Sequence, residues 1–490
     1  MSYLTLHRRI TSFYRESGLI YVSELLADCL SRCKMLNKRR ILGVVLASSV
    51  AIPASAVESI TLEQAINLAE KRDPWLQRSY DQQSAIDNKS IAAGALPDPK
   101  VSIGINNVPT DTFNFQQDNM TQLQVGFSQD FPRGQSLAIT QQALQIESSA
   151  FPLLRIDRKA RLKSEVSQLW LDAFLAQQTI ALIENDRHLF EKMADIAKVS
   201  FSSARGRTRQ YDVIRADLEL IQIEDRLTVE HQKLEVALAK LDKWLLLDRG
   251  DTLDTTMGLN GHSTHLFMDD KKPDITLLNA NNLQQMLADQ SQLTKTLSNH
   301  PAILAIGVKQ LATEQKIQLA KQSYQPQWGL KASYGFRGTN PAGSDRADLL
   351  SLGVSFNLPL FTENLQDKEV IAAQADASAV KKERALLMRS MFSALNKDVQ
   401  ELKRLKERQK IYQTQLLKQS DQQVEAALSA YMNDDGDFSE FVTARITELN
   451  FRIAALKFDV DVLKTTAKLN YFFTNATTDT DQATLQEFGE

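Results

Sequence analysis

The phrase HSTHLFMDD brings His262, His265, Met268 and Asp269 within eight residues. Imidazole and thioether together suit a soft ion such as copper; the same residues also read as a solvated loop. A second cluster, NDDGDFSE, puts Asp434, Asp435, Asp437 and Glu440 within seven residues. Asp437 followed three places later by Glu440 has the spacing of a helix N-cap and its N3 partner. RGRTR sets Arg205, Arg207 and Arg209 in another turn with the opposite charge. Beyond residue 56 the histidines are His188, His231, His262, His265 and His300. None stands in an HExxH or CxxC setting, and there is no Gly-rich phosphate loop. The residues point to no catalytic constellation, no cofactor and no firm metal site, so the chain reads as something other than an enzyme.

The elements that carry these clusters follow an export signal. MLNKRR is a basic run, ILGVVLASSVAI an apolar run of about 12 residues, and PASA ends at Ala56 with small residues at cleavage spacing. Residues 1–56 therefore read as a secretory signal peptide. The stretch before Met35 is either upstream of the true start or an unusually long n-region. Past Ala56 remain 49 Lys+Arg against 57 Asp+Glu, a net charge of −8 with no nucleic-acid footprint. Both cysteines, Cys29 and Cys33, precede that point, which predicts no disulfide and no lipid-bearing cysteine. No apolar run reaches the roughly 20 residues of a spanning helix, so any membrane crossing must use strands.

The chain repeats itself at a spacing of 227 residues. Pro74 matches Pro301, Pro99 matches Pro326, Gly126 matches Gly353, Ser128 matches Ser355, and Pro132 matches Pro359. A repeat this long is a duplicated substructure rather than a solenoid. The expected halves are 57–247 and 288–474, joined by a linker at 248–287 and followed by a polar, disordered tail at 475–490. Each half opens with a helix (Leu62 to about Ala93; 290–323). A β-hairpin follows, about 100–131 in one half and 327–358 in the other. A long helical hairpin closes each half, about 135–247 and 362–474.

Hydrophobic residues in the long helices recur alternately at four and three. The run Leu162, Val166, Leu169, Ala173, Ala176, Ile180, Ile183 continues to Phe201, a second spans Val213–Trp244, and a third Ile446–Asn470. A 3.5-residue repeat predicts left-handed coiled coils of antiparallel helices with a narrow, Ala-rich seam. The strands alternate at period two: Leu350, Leu352, Val354, Phe356 and Leu358 oppose Ser351, Gly353, Ser355 and Asn357. Strands of ten residues with one apolar and one polar face fit a membrane barrel. They also fit a soluble hairpin packed on a core; the signal peptide and the duplication favour the barrel. Four strands cannot close a barrel, since bacterial examples begin at about eight. Three chains would supply twelve.

In order and content this resembles the TolC family of outer-membrane efflux channels, over nearly all of the chain after the signal. The phrases that carry the likeness are TLEQAINLAEKRDP, GALPDPKVSIGINNVP, QDFPRG and DGDFSEFVTARITEL, with a weaker copy of the last in GRTRQYDVIRADLEL. The resemblance implies a mainly α fold: tandem-duplicated antiparallel coiled coils forming a periplasmic tunnel, with four strands per chain in a shared twelve-stranded trimeric barrel. Its implied partners are two further copies of the chain, outer-membrane lipid, a periplasmic adaptor and an inner-membrane efflux pump. The LPDP…INNVP phrase is most similar to channels serving heavy-metal exporters of the resistance–nodulation–division class.

The resemblance also assigns residues. Pro132 and Pro359, with Pro99 and Pro326, mark the junctions of barrel and tunnel, where proline can end a strand and open a helix. Glu440 and Asp212 fall at pore-facing acid positions of the closing tip, and Tyr431 at a tyrosine used there for hydrogen bonding. Thr443 replaces a second acid, and the arginine expected near Gly436 is missing, which puts the family's tip ion pairs in doubt. Asp434, Asp435 and Asp437 would supply a negative constriction in threefold copy, or simply cap and solvate the turn. Arg205, Gly206, Arg207, Thr208 and Gly436, with Ser202 and Ser203 nearby, are the expected tip contacts with an adaptor. The competing class is a periplasmic coiled-coil adaptor or scaffold that never enters a membrane; it should carry β-domains flanking a single helical hairpin.

Overall fold

The structure is a computed structural model that describes residues 59–203, 209–245, 267–279, 289–433 and 435–476. The signal-peptide reading, Arg205–Thr208, His262, His265 and Asp434 lie outside them. The described helices are α1 (Leu62–Arg72), α2 (Pro74–Ala93), α3 (Ser136–Ser148), α4 (Ala150–Ser202) and α5 (Gln210–Leu245). In the second half come α6 (Gln290–Ser298), α7 (Pro301–Gln322), α8 (Gln366–Ile411), α9 (Leu417–Met432) and α10 (Phe438–Phe472). The strands are β1 (Ser59–Ile60), β2 (Lys100–Asn106), β3 (Gln122–Phe131), β4 (Phe267–Met268), β5 (Gln327–Phe336) and β6 (Leu349–Asn357). The order helix, hairpin, long helical pair thus occurs twice.

Three helices expected to be continuous are broken, each at a proline. Leu62–Ala93 divides at Asp73, whose extended ψ of 106° is what a residue before Pro74 must adopt. Asp73 caps α2 by accepting from the Trp75 N–H at 3.1 Å, and its other oxygen binds Arg158 Nε at 2.7 Å. The stretch 290–323 divides in the same way at His300 before Pro301. The stretch Gln135–Phe201 breaks at Ser149. Pro152 lacks an N–H, and its ring crowds the carbonyl of Ser148 four residues earlier.

The two halves are not identical in length. Helices and strands start at an offset of 227 through Pro74/Pro301, Lys100/Gln327 and Gln122/Leu349, but Gln210 matches Phe438 at 228. One extra residue therefore lies in the second half between its hairpin and the start of α10. The long helix there carries a five-residue π-helical segment, Tyr412–Leu416, between α8 and α9, while α4 is α-helical throughout. A π turn is how a helix takes in one added residue without losing its packing face. Tyr412 sits on Phe458 and Phe451, with ring centroids 4.9 and 6.0 Å away.

The helices order themselves side by side as α5, α4, α10, then α8 and α9. The seam residues Leu162, Val166, Ala173, Ala176, Ile180 and Ile183 of α4 are buried, as are Ala216, Ile223, Leu227, Ala237 and Leu241 of α5. Phe201, at the end of the pattern, is exposed. The buried strip on α4 is wider than a two-position seam, because α4 packs on both α5 and α10. Trp170, Leu171 and Phe174 join it, and the Trp170 indole donates to the Ile60 carbonyl at 3.0 Å. At 1.5 Å per residue the 53 residues of α4 run for about 80 Å.

His300 illustrates how the halves diverge at equivalent places. It is fully buried and stands where Asp73 stands in the first half. Its Nδ1 accepts from the Ala302 N–H at 3.2 Å and its Nε2 donates to the Tyr471 carbonyl at 3.0 Å, which fixes the neutral tautomer. Burial lowers its pKa from the ordinary value, the Tyr471 carbonyl opposing that shift only in part. The unfolded ring takes up a proton near pH 6.5 before the folded one does, so stability falls as pH drops from about 6.5 toward the folded value. His300→Asn keeps a capping side chain and removes the titration. Its thermal midpoint, followed by circular dichroism, is expected to vary less than wild type between pH 7 and pH 5; parallel slopes would remove His300 as the source.

Candidate functional site: the two-faced sheet and the helical tip

The two hairpins join into one antiparallel sheet of order β2-β3-β5-β6. Register places Val101 opposite Phe127, Phe127 opposite Ala332, and Ala332 opposite Leu352. The next rows are Ile103–Val125–Tyr334–Leu350 and Ile105–Leu123–Phe336; below them Trp328 pairs with Phe356 and Leu330 with Val354. Every one of these side chains lies on the same face, since strand residues two apart share a face. None is covered: Leu352 is 77% exposed, Ile103 74% and Trp328 49%.

The opposite face is small and polar. Its rows read Ser102–Gly126–Ser333–Ser351 and Lys100–Ser128–Lys331–Gly353. Gln124 donates to Ser333 Oγ at 2.7 Å and accepts from the Asn106 amide; Lys100 pairs with Asp130 at 3.1 Å. The glycines permit close side-chain packing over the strands: a Cβ on Gly126 would lie 2.6 Å from Ser102 Oγ. The outer ladders of β2 and β6 have no partner strand among the described residues, leaving two open edges.

Prolines bracket both hairpins. Pro99 and Pro326 immediately precede β2 and β5, while Pro132 and Pro359 follow β3 and β6. At this level the halves are tied together. Arg133 donates to the Ser323 carbonyl at 2.5 Å and the Gln135 N–H donates to Gln322 at 3.0 Å. At the far end of the sheet Arg346 joins the two hairpin loops, donating to the carbonyls of Asp118 and Gly338 at 2.5 Å and of Thr339 at 3.1 Å.

The helices end in a tip at the other pole. Asp212 sits in the first turn of α5 and accepts from the Arg209 N–H at 2.9 Å. Asp437 is the N-cap residue of α10, with an extended ψ of 140° and no side-chain capping bond. Asp435, Asp437 and Glu440 are exposed. Tyr431 faces the tip core, 5.6 Å from Phe438 and 6.5 Å from Phe441 between ring centroids. Gly436 is a close approach: a Cβ there would lie 2.8 Å from that of Ala430. Met268 is buried in the main core, and Gln177 holds its backbone on both sides at 3.0 and 3.1 Å. Its thioether is thus closed off in that core, while His262 and His265 lie outside the described residues.

Two features escaped sequence reasoning. Arg215 crosses from α5 to α10, donating to Ser439 Oγ and, at 2.8 Å, to Thr443 Oγ1. Thr443 is the 228-residue counterpart of Arg215 itself, so the substitution at that position becomes half of a link between repeats. Higher up, Asp186 of α4 and Glu448 of α10 are both buried. Arg445 contacts them at 3.3 and 2.5 Å, and Arg452 closes on Glu448 as well. The available signal was a charged residue, Asp186, beside the apolar strip of a helix that carries several other acids.

A scan against protein-family models finds no match, and a search of the curated proteins finds none. Solved structures match closely in shape. The Campylobacter jejuni CmeC outer membrane channel superposes with a TM-score of 0.67 at 12% identity, covering 87% of this chain and 89% of that one. The Vibrio cholerae outer membrane protein VceC gives 0.65 at 14%, covering 85% and 96%. CusC, a transmembrane channel, gives 0.64 at 13%, covering 84% and 92%.

The ionic cluster yields a direct expectation. Arg445→Met leaves Asp186 and Glu448 buried with less compensation and should cost about 3 kcal/mol. Adding Glu448→Gln should restore part of that, read as thermal midpoints of the single and double variants. Equal melting of Arg445→Met and wild type would show that Arg452 alone satisfies both acids. With helical pairs in duplicate and one four-stranded sheet laid out as in these channels, the chain has the fold of the TolC-type outer-membrane channels.

Proposed function

We propose that the chain is the outer-membrane channel of a tripartite efflux system, passively conducting cargo delivered by an inner-membrane pump through a periplasmic adaptor. The observation that carries this is the sheet: a continuous, uncovered apolar face backed by a polar one, with both edges open. In water that face would drive association. In lipid the edges would leave backbone groups unsatisfied at several kcal/mol each. Three copies joined edge to edge give twelve strands, apolar outward and polar inward, which resolves both. The likeness to solved channels supports the reading, and the export signal at 1–56 supports delivery to the outer membrane of a Gram-negative cell. A periplasmic scaffold would not need this sheet face and is not favoured.

The helical pairs would then line a periplasmic tunnel whose tip must close when idle. Asp212, Asp435, Asp437 and Glu440 are proposed to surround the aperture, with Tyr431 bracing the second turn from within. Arg205–Thr208 and Gly436 belong to the turns that would meet the adaptor. For cargo, the LPDPKVSIGINNVP phrase favours heavy-metal cations driven by a resistance–nodulation–division pump. A deletion strain should gain sensitivity to copper, silver or zinc; sensitivity confined to detergents and hydrophobic drugs would overturn the metal assignment.

The sheet faces make the channel reading testable by substitution. Leu352→Arg places a charge on the lipid face and should cost about 2–4 kcal/mol near the bilayer midplane. Trimers in the outer-membrane fraction should fall sharply. Ser351→Arg, one residue away on the polar face, should assemble and alter single-channel conductance instead. Equal tolerance of both, or recovery of wild type as a monomer in osmotic-shock fluid, would refute the proposal.

A further inference from the structure

Helix α5 carries a second apolar stripe. Tyr211, Ile214, Leu218 and Ile221 recur at three and four, and are 62%, 59%, 50% and 62% exposed. They lie opposite the Ala216–Leu220–Ile223 face that packs on α4. On the far flank of the bundle, α9 ends with Leu428 and Met432 exposed. α5 and α9 are the outermost helices of the tip, α5 resting on α4 and α9 on α10. No segment of the described chain covers either stripe.

Charge separates the two edges as well. Residues 210–235 hold seven acids and three bases, whereas 401–418 hold six bases and two acids. Some are paired at home, as Asp217 is with Lys198 at 2.9 Å. Asp225 of α5 and Lys403, Lys406, Lys410 and Lys418 of α8 and α9 are exposed and form no ion pair among the described residues. The lysines run at three and four down to Lys410. The extra residue of the π segment keeps Lys418 in the same line, since it adds one position to a spacing of seven. Heights above the tip agree. Ile214 and Leu428 each lie four residues from their helix ends, about 6 Å. Asp225 and Lys418 lie fifteen and fourteen residues away, about 22 Å.

We propose that the α5 edge of one copy seats the α9 edge of the next. An apolar contact of Ile214 and Leu218 against Leu428 and Met432 would close the tip, and an ionic contact of Asp225 with Lys418 would set its register. The occupant is a second copy because the edges are complementary in charge and matched in height. The proposal rests on the multi-chain channel reading. It adds that the closing contact between copies is apolar and lies on the helix flanks, apart from the charged turns of the tip. Such a seal depends little on ionic strength, unlike one built from exposed ion pairs.

The test is a pair of cysteines, Ile214→Cys with Leu428→Cys, in a full-length chain also carrying Cys29→Ser and Cys33→Ser. Light scattering in detergent first reports the oligomer. Mild oxidation of a trimer is expected to give covalent dimers and trimers on a non-reducing denaturing gel. An intact trimer with no intermolecular cross-link overturns the seam but leaves the channel reading standing; a monomer overturns both. Ile214→Cys alone gives a second readout with a bulky maleimide. Protection in the purified trimer and labelling after denaturation support the seam. Ready labelling of the trimer that is blocked only by added adaptor would assign the stripe to the adaptor and overturn it.

Discussion

An antiparallel sheet with an apolar face and two unpaired edges is not a stable object by itself, and the rest of the molecule follows from that constraint. Backbone N–H and C=O groups at the edges need partners wherever water is excluded. The chain supplies four strands because each of its halves contributes one hairpin, and β3 pairs with β5 to join them. In the proposed channel, closure comes from further copies. Once the sheet is closed, the helices that descend from it through Pro132 and Pro359 are brought side by side whether or not they attract one another.

That explains why the long helices can afford so lean a core. Each is buried along a strip and, away from the tip, largely polar elsewhere, and many strip positions are alanine, which permits close approach but contributes little buried area. Antiparallel pairs held by so narrow a strip would be weakly stable in isolation. Packed into a wall, α4 gains neighbours on two sides, and its buried strip widens to take in Trp170 and Phe174. Buried carboxylates inside the wall are answered by bases and hydroxyls, as Asp73 is by Arg158 and Asp157 by Arg161 and Tyr471.

Duplication also allowed the halves to specialise. Equivalent helix starts use Asp73 in one half and His300 in the other; both cap, but only one carries a charge to pair. Arg215 and Thr443 occupy equivalent places in the tips and now hydrogen-bond to each other. The second half holds one more residue between its hairpin and α10, and its long helix carries a π turn that begins at Tyr412. Such a turn takes in a residue while the helix keeps its packing face toward α10.

Much of this was legible in the amino-acid sequence. Spacings of four and three marked the coiled coils because a straight helix buries one stripe. Period-two alternation marked the strands because successive side chains point to opposite faces. Prolines repeated at 227 marked the duplication. The helix breaks at Asp73, Ser149 and His300 were present as Pro74, Pro152 and Pro301 but were outweighed by the periodicity around them. What only the tertiary structure decided was which faces meet. The sequence alternates apolar and polar along each strand, but the cross-strand register is what gathers fifteen side chains into one uncovered surface. Likewise Asp186, Arg445, Glu448 and Arg452 are ordinary charged residues until packing of α4 on α10 shuts them away from water. Local pattern records a residue's own helix or strand, whereas long-range contacts depend on the sum of many weak packing choices that no short window contains.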